Sequence, residues 1–170
     1  MMRGSIAAVT LLGLAACTTA PESDGGEGVG EVSPFATDQS RPLLALFDHL
    51  LGNYFASDVG ARPTICVASH DGRSEVALPA AEELELMTRY GSLAPFARCG
   101  FVDGRWQDTE TGETAMLFRI HSFTCANEAN CTGFGGYVSG QTSSLSSRYT
   151  MQYADGAWQF DRDDRLIGEE

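Results

Sequence analysis

The apolar residues of this chain change period near residue 100, and that change limits the folds open to it. After it they recur at every second position, the spacing of a half-buried strand. In 115–124, AMLFRIHSFT, Met116, Phe118 and Ile120 share one face while Leu117, Arg119 and His121 share the other. In 145–153, LSSRYTMQY, Leu145, Tyr149, Met151 and Tyr153 point one way. Asp155-Gly156 follows, then Trp158 and Phe160, and an Asp-Gly pair between alternating runs predicts a hairpin. Between these runs, 132–141 is a glycine-rich segment that reads as a bulged or bent strand.

Before residue 100 the spacing is helical. Residues 42–55, PLLALFDHLLGNYF, open with Pro42 at a natural first helical position. Leu43, Phe47, Leu50 and Tyr54 then mark one face of an amphipathic helix. Residues 63–69, PTICVAS, read as a short β-branched strand. Residues 79–90 read as a second helix begun by Pro79, with Glu82 and Glu83 suited to its positive end and Gly91 stopping it. The order is helix, strand, helix, then an antiparallel meander, which predicts an α+β domain with two N-terminal helices packed on one sheet. The C-terminal stretch YTMQYADGAWQFDRD resembles the closing hairpin of small exported cystatin-like and NTF2-like domains. That resemblance covers about a third of the domain and implies a curved sheet with a helix in its concavity, without implying one activity.

The first residues give an address. Residues 1–17 read MMRGSIAAVTLLGLAAC: a basic Arg3, a short apolar run, then Cys17. The run is shorter than the about 20 apolar residues that a membrane span needs, so it reads as a signal peptide. Leu14-Ala15-Ala16-Cys17 resembles the lipobox of bacterial lipoproteins. The resemblance implies cleavage after residue 16 and acylation of Cys17, the lipid being the membrane partner. Thr18 stands where Asp marks inner-membrane retention in that family, which points to the outer membrane. Residues 17–40 are rich in Gly, Ser, Thr, Pro and acid, so they predict a lipidated flexible tether, with the domain running from 41 to 170.

With Cys17 acylated, four of the five cysteines remain: Cys66, Cys99, Cys125 and Cys131. An even number of thiols in an exported domain reads as two disulfides. Three pairings are open. The simplest joins Cys125 to Cys131 across the polar loop ANEAN and leaves Cys66 for Cys99.

The net charge of -12 is spread along the chain, which argues against nucleic acid and anionic lipid as partners. The sequence contains no Lys. A Walker A loop, a pyridoxal-phosphate Schiff base and a Ser-x-x-Lys nucleophile are thereby excluded. Gly136-Tyr-Val-Ser139-Gly140 has the wrong spacing for a nucleophile elbow, and Asp161-Arg-Asp163-Asp164 fails as a calcium loop at Arg165 and Leu166. No cofactor or metal is expected. A zinc site of His121, Cys125 and Cys131 loses to the disulfide. Asn130-Cys131-Thr132 matches a glycosylation sequon and reads as chance in a bacterial lipoprotein.

Of the three histidines, His49, His70 and His121, the last shares a strand face with Arg119, a pairing suited to an anionic ligand or to a solvated face. Tyr54, Phe118, Tyr149, Met151 and Trp158 are candidates to line a pocket between helix and sheet, or to fill the core there. Three functions remain open. The first is a non-enzymatic envelope domain binding a protein or a small ligand. The second is an NTF2-like envelope enzyme with a general base in an apolar pocket, for which His121 and Tyr149 are the candidates. The third is a spacer or assembly component. A buried His121 or Tyr149 facing a cavity beside another polar group favours the enzyme.

Overall fold

The computed structural model describes residues 33–58, 60–140 and 143–163; the leader, Cys17 and residues 18–32 of the acidic segment lie outside the described residues. Among the described residues, three helices, α1 (Pro34–Thr37), α2 (Pro42–Ala56) and α3 (Ala80–Arg89), accompany eight strands. The strands are β1 (Thr64–His70), β2 (Glu75–Val76), β3 (Cys99–Val102), β4 (Arg105–Asp108), β5 (Ala115–Asn127), β6 (Asn130–Val138), β7 (Ser144–Ala154) and β8 (Ala157–Asp163). The fold is α+β, with one mostly antiparallel six-stranded sheet in the order β2-β1-β5-β6-β7-β8. Strands β3 and β4 form a separate hairpin.

The meander β5 to β8 pairs antiparallel throughout, as the alternation predicts. Asp155 and Gly156 both take positive φ, 55° and 80°, at the turn between β7 and β8, the backbone that Asp-Gly favours in a tight hairpin. Strand β1 departs from the antiparallel expectation: it runs parallel to β5. The chain leaves β1, forms α3 and the β3–β4 hairpin, and returns as β5, and a crossover of this kind lays strands parallel. The irregularity expected in β6 falls instead on β5, where the register shifts between His121 and Thr124 and again between Cys125 and Asn127. Ser122 adopts φ 51° there. The glycines of β6 serve close approach: a Cβ at Gly135 would lie 2.8 Å from the Leu50 side chain, and one at Gly136 would run into the Leu145 backbone.

Helix α2 buries Leu44, Phe47 and Leu51 in one cluster with Ile65 and Val67 of β1, Phe118 and Ile120 of β5, and Met151 of β7. The packed domain also begins earlier than Arg41. Ser33 caps α1, Phe35 is buried, the Trp158 indole N–H donates to the Asp38 carbonyl at 3.1 Å, and the Tyr153 hydroxyl donates to Thr37 at 2.9 Å. One large apolar residue and a capped turn therefore hold residues that composition assigns to the tether.

A smaller cluster on the opposite face joins Cys66 and Ala68 of β1, Leu117 of β5 and Trp106 of β4. The Cys66–Cys99 disulfide ties β1 to β3, and Cys125–Cys131 joins β5 to β6 at register partners. The hairpin is anchored by fully buried Asp108, which accepts the Thr64 hydroxyl at 2.7 Å and the Arg98 guanidinium at 2.7 to 3.0 Å. Among the described residues no helix is long and apolar enough to cross a membrane.

Candidate binding clefts

The parallel register of β1 and β5 sets Ala68 beside Arg119 and His70 beside His121. These residues point away from α2, on the face that carries Cys66 and Leu117. After His70 the chain turns back through Asp71, whose carboxylate accepts the backbone N–H groups of Arg73 at 2.8 Å and Ser74 at 2.9 Å. The turn returns the chain as β2, with Glu75 opposite His70. Glu75 then lies between two partners: its Oε1 is 3.3 Å from Arg119 Nη1, and its Oε2 is 3.4 Å from His70 Nδ1. The side chains of Glu75, Arg119 and His70 are only 15%, 23% and 26% exposed. His70 Nδ1 and Glu75 Oε2 are buried and make no aligned hydrogen bond.

This ion chain floors a cleft of about 590 Å³ whose apolar wall includes Phe96, Phe101, Trp106 and Val138. The β3–β4 hairpin supplies Phe101 and Trp106, their rings 5.5 Å apart and edge to face. A second hollow of about 500 Å³ shares His70 and Arg119 and extends past His121 to Phe123. His121 stacks on Phe134 at 5.0 Å with the rings 11° apart. Two charged side chains and an imidazole are thus held mostly buried in clefts that aromatic rings also line, an arrangement that apolar packing alone does not require.

On the α2 face lies a narrower groove of about 330 Å³, lined by Tyr54, Phe118 and Tyr149 together with Asn53 and Arg162. Tyr149 is 4% exposed and its ring centroid is 5.8 Å from that of His49. His49 stacks on Phe160 at 4.2 Å and sits 3.1 Å from the Asn53 amide, and burial holds its pKa below the ordinary 6.5. Met151 and Trp158, expected to line a pocket, are core residues instead. Met151 pairs with Phe160 and is fully buried, and Trp158 is covered by the segment after α1 that takes its indole N–H.

The structure brings His121 and Arg119 to one cleft, as their shared strand face predicts. It separates His121 from Tyr149: Tyr149 pairs with Gly133 and lies on the α2 face, while His121 pairs with Phe134 on the other. Cys125 and Cys131 are bonded to each other, so they are not ligands for His121. Sequence reasoning misses His70, Glu75 and Trp106. The Asp103-Gly104 pair between Val102 and Arg105 is the one local signal that points to the hairpin carrying Trp106. No protein-family model, curated protein or solved structure matches the chain.

Proposed function

We propose that this chain is the precursor of an envelope lipoprotein, acylated at Cys17 and held at the outer membrane. We read its domain as a non-enzymatic receptor for a small ligand. The leader pattern and the two disulfides support the address. The kinship to cystatin-like and NTF2-like domains, with a curved sheet, belongs to the same proposal. The ligand occupies the cleft on the face turned away from α2. The carrying observation is the Arg119–Glu75–His70 chain, kept mostly buried in one cleft with Trp106 and Phe101. The disulfide-tied β3–β4 hairpin lines the same cleft through Cys99, Phe101 and Trp106.

Fractionation and native mass spectrometry test both halves of this reading. The full chain should partition with outer membranes, carry the mass of acyl groups at its new N-terminus, and become soluble when Cys17 is replaced by Ser. A soluble wild-type chain of unmodified mass refutes the address. Native spectra of the detergent-solubilised chain should show a discrete small-molecule adduct that a Trp106→Ala variant loses. A bare protein, or an adduct indifferent to that substitution, removes the cleft from consideration.

One observation favours an enzyme as the second reading. Tyr149 is buried at the α2-face groove beside His49, and burial lowers the His49 pKa, favouring the neutral form that a general base requires. Proton abstraction from a small carbonyl compound that is abolished by His49→Gln would move the assignment to the His49–Tyr149 pair.

A further inference from the structure

We infer that the group recognised in the Arg119 cleft is an anion, a carboxylate or phosphate carried on a flat apolar body; this deepens the receptor reading and rests on it. The argument begins with the donors of Arg119. A guanidinium has five N–H groups in a fixed fork. Arg119 gives one of them to Glu75, at 3.3 Å, and makes no other hydrogen bond to a described residue. It nonetheless lines both hollows and is three-quarters buried. A mostly buried cation with most of its donors unused fits the two-pronged geometry of carboxylate or phosphate.

The surrounding charges agree. Arg73 lines the same cleft and lends only its backbone N–H to the turn. Of the two acids nearby, Asp71 is engaged by the Arg73 and Ser74 amides and Glu75 Oε1 by Arg119. The protein as a whole carries -12, which repels anions at a distance. At physiological salt that field is screened within about 8 Å, so the local arginines decide at contact. Glu75 has a definite part: it fixes the Arg119 fork from one side and leaves the other open. The body of the ligand rests on Phe101 and Trp106. Phe101 is 55% exposed, and a flat ring covering it gains apolar contact.

The alternative occupant is a cation on Glu75 Oε2, which is buried and lacks an aligned donor. Single substitutions separate the two. The full chain would be titrated with phenylphosphate, benzoate, benzylammonium and benzyl alcohol, following the tryptophan indole and histidine ring signals by NMR. Phenylphosphate and benzoate should bind more tightly than the other two. Arg119→Gln should weaken them about tenfold or more. Should Arg119→Gln fail to fold, Arg73→Gln at an exposed position should still weaken both by about threefold. Preferential binding of benzylammonium, lost in Glu75→Gln, overturns the anion and leaves the cleft a cation site. Equal binding of benzyl alcohol reduces the cleft to apolar contact and overturns the anion alone. Absence of any shift at Trp106 with all four probes overturns both the anion and the receptor reading.

Discussion

The Tyr90 hydroxyl lies 2.8 Å from the Asp48 carboxylate and 2.9 Å from that residue's carbonyl oxygen, so one phenol fastens the end of α3 to a buried acid of α2. Burial of the phenol pushes its pKa up to about 12. Tyr90→Phe keeps the ring stacked on Phe55 and removes only the hydroxyl. It should cost about 1–2 kcal/mol, because the Asp48 carboxylate keeps the Arg89 contact at 2.6 Å but loses a short donor. Urea unfolding reads the difference. The same variant should lack an absorbance step near pH 12, and its stability should fall less between pH 10 and 12, where the unfolded phenol has ionised and the folded one has not.

Acid should act through Asp108. The Arg98 guanidinium, and after it the Thr64 hydroxyl, hold this carboxyl far below its ordinary value of 3.8. Its contribution to stability is complete above that ordinary value and is lost as pH falls below it towards the depressed folded value. Wild-type stability should therefore drop steeply below about pH 4, and Asp108→Asn should be less stable at neutral pH but flatter through the acid range. Parallel acid limbs for the two proteins would show that the Arg98 pair is not what the proton breaks.

Where local pattern decides, the sequence is legible. Alternation places β5 and β7, Asp155-Gly156 places their hairpin with β8, and proline with apolar spacing places α2. The Asp103-Gly104 turn carries the same signal and is passed over, because β3 and β4 have four residues each and their alternation is too short to stand out. Strand β2, two residues long, has no local signal at all. The binding cleft is harder still. His70, Glu75 and Arg119 come from three strands, and only the parallel pairing of β1 with β5 and the turn at Asp71 bring them together. Arg119 and His121 could be placed on one face from spacing alone; their third partner depends on tertiary pairing.

The disulfides should differ in worth. Cys66–Cys99 spans 33 residues and Cys125–Cys131 spans 6. Chain entropy assigns roughly 3.5–4 kcal/mol to the long loop and roughly 2–2.5 to the short one, as upper figures. Cys66→Ser with Cys99→Ser should lower the melting temperature more than Cys125→Ser with Cys131→Ser. The long bridge also ties the β3–β4 hairpin to β1, so its loss should shift the Trp106 indole signal where loss of the short bridge does not. The opposite order of melting temperatures would show that loop length does not govern these bridges.

His49 offers a test of the enzymatic reading built on its pair with Tyr149. Its ring is stacked on Phe160 and set against Tyr149, and burial disfavours its charged form. Asp48 pulls the other way by attracting the imidazolium, and Arg162 repels it. Desolvation outweighs the attraction, so the folded imidazole should titrate below 6.5. The sign for stability follows. As pH falls through 6.5 the unfolded chain takes the proton first, and the folded state loses stability until its own imidazole is protonated. Carbon-labelled histidine NMR gives the titration, with His49 assigned by its absence from His49→Gln. Urea midpoints of both proteins between about pH 7 and pH 5 should show a loss in wild type that the variant lacks. A folded pKa above 6.5 would mean that the Asp48 attraction outweighs desolvation of the ring. A neutral general base at that position, and with it the enzymatic reading, would then have no support.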